Sequence, residues 1–319
     1  MGVSKRVLTV EDMGGKIHHV RRFVDPENKL RSATNASIGF HPDSGFVCAI
    51  RSSNYVILPN GSYFVVEEDS DFQSDVWFAE LDDNFKCLNL RKIDLSAAPF
   101  SVVRGLEDPK LFWRDGAWNF TCVIKEKGHT EVARMGVARI DAACTSIVSL
   151  VKFDGFDESE TEKNWAVTHA VNPEFDFIYG ANSVIKDGVV VEWLSDAKQV
   201  RGLRGNTNLW DLGDGSYLAV CHRTIHGNKS IWVPSKFGFE NVVLRDYYHY
   251  FVRYNSKGFI DSISEPFYFI ESGVEFAAGL VIKDNRVYVS FGRKDVSSHV
   301  AELPFNIVMD SLKKIDYKV

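Results

Sequence analysis

The sequence predicts an all-β fold, and more specifically a five-bladed β-propeller with a central pocket. Three observations lead to this prediction: apolar and polar residues alternate in many short runs, helical periodicity is scarce, and one kind of short motif recurs five times. The alternating runs predict strands over residues 45–51, 62–66, 76–81, 118–124, 133–140, 188–194, 216–222, 249–254 and 286–291.

Turn signals separate many of these runs. Asp-Gly or Asn-Gly pairs stand at residues 60–61, 115–116, 187–188 and 214–215, and an Asp-Asn pair stands at 284–285. Such pairs suit the left-handed backbone of tight hairpin turns, whose twist matches that of antiparallel strands. The turns therefore predict a series of β-hairpins.

The five motifs carry polar or small residues where a buried strand would carry Val or Ile. They are residues 35–38, 105–110, 162–165, 204–208 and 275–279. This pattern is expected if five strands begin at one wet central pocket. A β-sandwich with the motifs as ordinary strand ends explains the alternation and the turns equally well, so the propeller rests on the repeated polar strand starts. Because no low-complexity linker interrupts the chain, we expect one domain over residues 1–319.

Composition and charge exclude several classes of function. The chain has 319 residues, 45% hydrophobic and 25% charged, as in a folded globular protein. Its net charge is −6 and it has no long run of Lys or Arg, so binding to a nucleic-acid backbone is not expected. An apolar leader and a membrane-length apolar stretch are both missing from the sequence, so we expect no membrane association. The five cysteines are odd in number and lack CxxC spacing, from which we expect free thiols and a cytoplasmic location.

The most informative motif contains Glu107, Asp108 and Pro109. Pro109 is expected to hold Asp108 in an extended conformation, so that the two neighbouring carboxylates point to opposite sides of a strand. A carboxyl group at the pocket is suited to act as a general acid if its pKa is raised. The structural alternative is an Asp-Pro turn with two solvated acids.

Residues 105–121 resemble the Glu-Asp-Pro-Arg blade start of five-bladed β-propeller enzymes that act on carbohydrates. These are the β-mannoside phosphorylases of glycoside hydrolase family 130 and the related β-1,2-mannosyltransferases and phosphorylases of glycosyltransferase family 108. Residues 162–165 resemble their Lys-Asn blade start, and residues 204–222 resemble their Gly-rich blade that ends in a His. The first and last motifs, the latter with Asp295, resemble the remaining blade starts.

The resemblance implies an enzyme that transfers a glycosyl unit, with mannosyl preferred, as an inverting glycosyltransferase or a glycoside phosphorylase. It places the role of general acid on Asp108 and implies no cofactor. The expected partner is a sugar or glycan, together with phosphate or a nucleotide-sugar. The alternatives are an inverting glycoside hydrolase, a non-catalytic carbohydrate-binding propeller, and a propeller that binds other proteins.

Basic side chains in or beside the motifs are candidates to hold phosphate or a sugar diphosphate: Arg51, Arg104, Lys110, Lys163, Arg204, His222 and His249. Further candidates for substrate contact are Asn54, Glu107, Glu162, Asn164, Tyr247 and Glu275. Lys110 stands where many members of the resembled families have Arg, so a bidentate contact to an anion would be lost. The alternative is that the basic residues pair with resident carboxylates, Lys163 with Glu162 or Glu107 and Arg204 with Glu275.

Metal binding is not expected, because no histidine pair has HxxxH or HxH spacing with a third ligand. Among the tryptophans, Trp113 and Trp118 are expected to wedge between blades. Trp165 and Trp210 fit a wedge or a sugar-stacking role equally well.

Overall fold

The described part of the protein is built almost entirely from β-strands. The computed structural model describes residues 6–20, 26–27, 31–57, 63–66, 73–99, 105–125, 133–154, 163–168, 172, 174–181, 183–192, 198–205, 207–235 and 238–317, with the backbone alone at 56–57, 63, 125, 226–235 and 238–244. Within these residues there is one short helix, α1, at Phe305–Ser311.

The strands of the first half of the chain are β1 (Leu8–Thr9), β2 (Lys16–His19), β3 (Ser32–His41), β4 (Gly45–Ser53), β5 (Tyr55–Ile57), β6 (Tyr63–Val65), β7 (Ser74–Leu81), β8 (Cys87–Lys92), β9 (Leu106–Arg114), β10 (Ala117–Lys125), β11 (Ala133–Ile140) and β12 (Ile147–Lys152). Those of the second half are β13 (Phe177–Gly180), β14 (Ser183–Lys186), β15 (Val189–Glu192), β16 (Trp210–Asp211), β17 (Tyr217–Ser235), β18 (Gly238–Tyr254), β19 (Ile260–Ile263), β20 (Phe267–Tyr268), β21 (Glu275–Lys283), β22 (Arg286–Arg293), β23 (Ser297–Pro304) and β24 (Lys313–Lys314).

These strands form successive sheets along the chain. The first sheet has the order β3-β4-β7-β8, the second β9-β10-β11-β12 and the third β13-β14-β15, all antiparallel. The fourth sheet is built on the β17–β18 hairpin, with β16 beside β17 and with β19 and β20 beside β18. Strands β5 and β6 form a separate two-stranded ribbon.

The fifth sheet joins both ends of the described chain. Its strands β21, β22 and β23 follow one another, and β2, from near the N-terminus, pairs with β23 as the outer strand. Likewise β1 pairs with β20 of the fourth sheet. Each of these pairings bonds an N-terminal strand to a strand from the last third of the chain.

Five hydrophobic clusters lie between the sheets, and each is shared by two of them. They join the first and second sheets (Val47 and Phe78 with Leu111 and Phe120), the second and third (Val123 and Met135 with Ile185), the third and fourth (Ile178 and Val184 with Ala219 and Val252), the fourth and fifth (Leu218 and Phe251 with Leu280 and Val289) and the fifth and first (Val281 and Val300 with Ile38 and Ile50). Each sheet thus buries its faces against its neighbours, which is a propeller-like arrangement.

Most of the predicted strands and turns are confirmed. Asp115 and Gly116, with φ of 52° and 71°, form the tight turn between β9 and β10, and Asp187 with Gly188 does the same between β14 and β15. Residues 133–140, predicted as a strand, coincide with β11. The expected thiols are also found, since none of the five cysteines forms a disulfide bond.

Two features were not predicted. Strands β17 and β18 contain 19 and 17 residues and pair as far as Ser235 and Gly238, well beyond the predicted strands. The helix α1 was not predicted either, because seven residues are too few to show a helical period.

The expected wedge residues are in place between the first and second sheets. Trp118 is 5% exposed and packs edge-on against Trp113, with ring centroids 5.3 Å apart. Gly39 of β3 lies against the Trp118 ring, and a Cβ atom there would approach ring carbons to 2.8 Å. Trp165 is also buried, with Val123 and Met135 as neighbours.

Candidate active site

Hydrogen bonds join the five sequence motifs to one another. Ser37 Oγ donates to Ala278 O at 3.1 Å and accepts from Leu111 N at 2.8 Å. Leu111 O in turn accepts from Asn208 Nδ2 at 2.6 Å, and Lys110 Nζ donates to Trp165 O at 3.4 Å. The described residues of the motifs, together with Leu111 directly after the second motif, are therefore linked by hydrogen bonds.

A left-handed residue stands in four of the motifs. The φ angles are 51° at Asn35, 48° at Asp108, 67° at Asn164 and 61° at Gly205. At the first two, the register shows a β-bulge, because β3 and β9 each have one residue more than the strand with which they pair. Asn, Asp and Gly are the residues that tolerate this backbone conformation best, which explains their recurrence at these strand starts.

The expectation that Pro109 holds Asp108 extended is wrong. Asp108 lies in the bulge between the Glu107–Val123 and Lys110–Thr121 pairs, and its φ is positive. The preference that a proline imposes on the preceding residue is local, and pairing with β10 overrides it.

The expectation that Glu107 and Asp108 point to opposite sides is also wrong, because both carboxylates bind the same guanidinium group. Arg51 Nη1 lies 3.0 Å from Asp108 Oδ1, and Arg51 Nη2 lies 3.3 Å from Glu107 Oε1. The extra residue of the bulge turns Asp108 toward the side that Glu107 faces. The Arg51 and Glu107 side chains are 5% and 9% exposed, whereas that of Asp108 is 20% exposed.

Two further side chains complete the surroundings of Arg51. Its Nε donates to Ser74 Oγ at 3.0 Å, and its Nη2 donates to the Tyr55 hydroxyl. Burial by itself would lower the pKa of Arg51, but Asp108 and Glu107 outweigh it and raise that pKa above its ordinary value. Arg51 is therefore a permanently charged, fixed cation at the base of the site.

Asn35 connects Asp108 with a third carboxylate. Its Nδ2 donates to Asp108 Oδ1 at 2.9 Å and lies 3.4 Å from Asp295 Oδ1. Thr34 Oγ1 donates to Asn35 Oδ1 at 3.1 Å, so both ends of the amide are hydrogen-bonded. Gly292 makes room for this amide, since a side chain there would collide with Asn35 Oδ1.

The two aspartates have opposite electrostatic surroundings. Burial by itself would raise the pKa of Asp108, but Arg51 and the Asn35 amide outweigh it, and the pKa lies below its ordinary value. Burial raises the pKa of Asp295, with partial compensation from Arg51 and a further rise from the charge of Asp108. Asp108 is therefore held ionised, and Asp295 is the more easily protonated of the two.

Two lysines add positive charge near Asp108. Lys110 is 1% exposed, and burial lowers its pKa to about 8, against the attraction of Asp108. Lys163 is exposed, and its charge also contributes to the lowered pKa of Asp108. The neighbouring Asn164 is half-buried.

An aromatic pair lies on the fourth sheet near these charges. The rings of His222 and Tyr247 stack with centroids 4.4 Å apart and an interplanar angle of 6°. Burial lowers the pKa of His222 to about 3, so its imidazole is neutral at physiological pH. Arg204 pairs with His222 through backbone hydrogen bonds of 2.7 and 2.8 Å, and Gly205 lies against the imidazole, where a side chain would collide.

Three of the residues that were predicted to contact substrate have side chains that contact other parts of the protein. His249 is fully buried, its Nε2 lies 2.8 Å from Glu275 O, and burial lowers its pKa to about 3. The Glu275 carboxylate accepts hydrogen bonds from the backbone N–H groups of residues 269–271. Asn54 Oδ1 accepts from Gln73 N at 2.7 Å.

Two predicted residues lie outside the described part of the chain, namely Arg104 and Glu162. Conversely, the predicted set did not include Asn35 or Tyr55, which contact Asp108 and Arg51 directly. Asn35 is the first residue of the first motif, and Tyr55 directly follows the candidate residue Asn54. Both residues therefore lie in or next to segments that the sequence indicates as functional.

A cavity of about 440 Å³ lies away from this cluster. It is lined by side chains of the second and third sheets and of the segments beside them, among them Arg114, Trp165 and Phe177. Asp108 is not among its lining residues. Because the charged and titratable groups gather around Asp108, that cluster is the candidate active site.

Neither a metal-ligand cluster nor a membrane span is found in the described residues. No three His, Cys, Asp or Glu side chains gather there in a way that would hold a metal ion. No helix in the described ranges has the length and apolarity that a bilayer crossing requires.

Comparison with known proteins gives structural matches alone. No protein-family model and no curated protein sequence matches the chain. A glycosyl hydrolase from Bacteroides ovatus is 13% identical with a TM-score of 0.57, over 95% of this chain and 96% of that protein. The mannose phosphorylase MPT-4 of Leishmania mexicana, solved with a phosphate ion, is 13% identical with a TM-score of 0.51, over 99% and 94%. The GDP-Man-dependent mannosyltransferase MPT-1 of the same organism is 10% identical with a TM-score of 0.50, over 91% and 90%.

These matches cover nearly the whole of both chains at low identity, so they concern the fold. A GDP-Man-dependent mannosyltransferase and a structure from the GH130 family of mannoside phosphorylases are among them. The resemblance to these enzymes, predicted from the sequence motifs, is confirmed at the level of the fold.

Proposed function

We propose that the chain is a single domain in which the five sheets are the blades of a β-propeller and the Asp108 cluster lies at a central pocket. Two observations support this arrangement: the hydrophobic clusters join each sheet to the next and the fifth to the first, and β2 completes the fifth sheet. A strand from the N-terminal region in the last blade closes a propeller by hydrogen bonds, which protects its edges.

We further propose that the protein is a carbohydrate-active enzyme that transfers a glycosyl unit, with mannosyl preferred, between a phosphorylated donor and a sugar hydroxyl. The observation that carries this proposal is the convergence of Arg51 and Asn35 on Asp108 Oδ1. A partly exposed carboxylate, fixed by buried donors beside Lys110 and Lys163, combines a proton-transferring group with cations that suit a phosphate. The structural neighbours that use phosphate or GDP-mannose support the choice of substrates.

Ionised Asp108 is the form of this group that begins the transfer direction. In that direction the acceptor oxygen forms a bond to the anomeric carbon, and the acceptor proton passes to the Asp108 carboxylate, directly or through a sugar hydroxyl. The bond from the anomeric carbon to the phosphate oxygen breaks, and its electron pair leaves with the phosphate group. A single displacement of this kind inverts the anomeric centre.

The reverse reaction uses the same group in its other protonation state. Protonated Asp108 gives its proton to the bridging oxygen while a phosphate oxygen attacks the anomeric carbon. Arg51 and Asn35 hold resting Asp108 in the ionised form that accepts a proton, and the substrates supplied set the direction of the reaction. We therefore propose a glycosyltransferase or a glycoside phosphorylase.

In this proposal, the basic residues contact the phosphate group of the donor. Lys110 is largely protonated at neutral pH, and it would meet a phosphate oxygen as a point charge, without the paired contacts of an arginine. Exposed Lys163 and Arg204 are further candidates for the same anion. His222 is neutral, so it would act as a hydrogen-bonding group and not as a cation.

The test is a substrate assay with a matched pair of variants. The protein is incubated with mannose and mannose 1-phosphate, or with mannose and GDP-mannose, and release of phosphate or GDP is followed. We expect Asp108→Asn to lower turnover by about 100- to 10,000-fold, the usual range for a proton-transferring group. Asp115→Asn is the control, because Asp115 also has a positive φ and lies in the turn that ends the same β-strand, far from Arg51.

The outcomes separate the candidate functions. Turnover that survives Asp108→Asn would contradict the proposed role of Asp108. Sugar binding without turnover in the unmodified protein would instead support a carbohydrate-binding propeller. Release of free mannose from a mannoside in the absence of phosphate would identify a hydrolase.

A further inference from the structure

Three carboxylates surround one guanidinium group in the candidate active site. Glu107 and Asp108 both form ion pairs with Arg51, whereas Asp295 forms none with any described residue. The cluster therefore carries one carboxylate that lacks direct compensation. A buried group of this kind is stabilised by taking up a proton.

The backbone aims Asp295 into the cluster. It lies in the turn between β22 and β23, where Lys294 and Asp295 have φ angles of 54° and 50°. The turn is fixed by a hydrogen bond from Lys294 N to Val274 O at 2.9 Å. The cationic side chains of Arg293 and Lys294 both bind Glu271, so the positive charges nearest in sequence are engaged elsewhere.

The Asn35 amide brings Asp295 and Asp108 together. One Nδ2 group faces both Oδ1 atoms, at 2.9 Å for Asp108 and 3.4 Å for Asp295. These two oxygens are therefore no more than about 6 Å apart, a gap that a water or a sugar hydroxyl spans with two hydrogen bonds. Asp108 has the shorter contact and Arg51 as well, so it is the better stabilised of the two as an anion.

We propose that Asp295 is the proton store of the site: it holds a proton while Asp108 is ionised, and it exchanges that proton with Asp108 through a bridging hydroxyl or water. This inference rests on the proposed function, and it assigns Asp295 a role that acts through Asp108. In the cleavage direction the proton moves from Asp295 to Asp108 and then to the bridging oxygen, as the bond to the anomeric carbon breaks. In the transfer direction the acceptor proton follows the reverse path, so the number of protons is conserved.

Several groups face Asp295 and set its titration. Arg51 comes from β4, Tyr55 from β5, Glu107 and Asp108 from β9, and Tyr247 from β18. Arg51 is the one permanent cation among them. The phenols of Tyr55 and Tyr247 have raised pKa values because of burial, so they stay neutral over the pH range in which a carboxyl group titrates.

The first experiment observes the proton itself and needs no activity. Infrared difference spectra are recorded at about pH 5, where an ordinary aspartate is about nine-tenths ionised. We expect the carbonyl stretch of a protonated carboxyl group in the unmodified protein and in the exposed-site control Asp310→Asn. We expect it to lose intensity in Asp295→Asn, where the carboxyl group of Glu275, whose pKa is also raised by burial, accounts for any band that remains. A band of the same intensity in both the unmodified protein and Asp295→Asn, or a band in neither, would overturn the proposal even if the protein has no glycosyl-transferring activity.

The second experiment uses pH profiles in both directions of the reaction. With β-1,2-mannobiose and inorganic phosphate, we expect Asp295→Asn to slow cleavage by about tenfold and to remove the alkaline fall of the rate. With mannose and mannose 1-phosphate, we expect a similar fall in kcat/KM, because the acceptor proton follows the same path in reverse and a variant cannot change the equilibrium constant of the reaction. A loss of rate with an unchanged pH profile would show that Asp295 has a structural role alone.

The two experiments distinguish this inference from the proposed function. If no sugar phosphate is turned over, the proposed function fails, and the infrared result still decides whether Asp295 holds the proton. If turnover depends on Asp108 but the infrared band has the same intensity in Asp295→Asn as in the unmodified protein, the proposed function stands and the proton store is wrong.

Discussion

Two strands of this protein begin with a buried glutamate, and the two glutamates serve different purposes. Glu107 at the start of β9 contacts Arg51, together with the neighbouring Asp108. Glu275, the first residue of β21, accepts hydrogen bonds from the backbone N–H groups of Phe269, Ile270 and Glu271. One carboxylate is part of a charged cluster, and the other holds a loop.

The difference comes from the residues that follow each glutamate. After Glu107 the bulge at Asp108 adds a second carboxylate on the same side, and a buried arginine compensates both. After Glu275 the chain continues with Phe276 and small residues, so a single carboxylate satisfies the backbone of one loop. A polar residue at the start of a strand is therefore not enough to identify a catalytic or binding group. The partner that its side chain contacts shows whether the residue belongs to a charged cluster or holds a loop.

The largest effect is expected when the cation of the first cluster is removed. Arg51→Met would leave two carboxylates without their partner, so we expect a loss of about 3–5 kcal/mol in the free energy of unfolding, measured by urea denaturation. Activity should be lost as well, because Asp108 loses its fixed donor.

The control for Arg51 is Arg91→Met. Arg91 pairs with Glu80 at 2.8 Å, but both side chains are partly exposed, so the expected cost is at most about 1 kcal/mol. Equal costs for the two variants would contradict the view that Arg51 compensates a buried cluster.

A smaller effect is expected from changing the two glutamates one at a time. Glu275→Gln replaces one acceptor oxygen by an amide NH2 group, so at least one of the three backbone N–H groups loses its acceptor, and the free energy of unfolding should fall by about 1–3 kcal/mol. Turnover per folded molecule should change little. Glu107→Gln should instead change turnover more than it changes the free energy of unfolding. Turnover should fall clearly, because this variant alters the charge that Arg51 shares with Asp108.

Urea denaturation and the mannose 1-phosphate assay measure the two effects. A loss of turnover in Glu275→Gln without any loss of stability would place Glu275 in the active site and break the contrast between the two strands.

The local features of this fold were predictable from the sequence, whereas the features that depend on pairing between strands were not. The turn at Asp115 and Gly116 was predictable because its chemistry lies in adjacent residues. The left-handed backbone of Asp108 was not, because it arises from the register between β9 and β10, and the proline that follows suggests the opposite.

The same limit applies to side-chain partners. Arg51 was a candidate for phosphate binding, and the structure shows it bound to Glu107, Asp108 and Tyr55. Nothing in the order of residues indicates that one arginine on β4 serves two acids on β9. The role of Glu275 was hidden for a related reason, because backbone N–H groups are the same at every residue that could supply them.

The smallest expected effect is a difference in how stability depends on pH. The pKa of Asp108 is lowered in the folded protein, because Arg51 and Asn35 outweigh burial, so this group stabilises the fold above its ordinary pKa of about 3.9. That contribution is lost as the pH falls through the lowered pKa. Burial raises the pKa of Glu275, so the folded protein holds a proton that the unfolded chain has already released. Stability from Glu275 therefore falls as the pH rises from about 4.3 through the raised pKa.

Urea midpoints measured at a series of pH values test these opposite signs. Asp108→Asn should flatten the loss of stability on the acid side, since the amide does not titrate. Glu275→Gln should instead remove a decline at higher pH, above the ordinary pKa of a glutamate. The two variants should therefore diverge from the unmodified protein in different pH ranges. Divergence in the same range would mean that the two acids share one environment, and the distinction between a charged cluster and a loop-holding carboxylate would be lost.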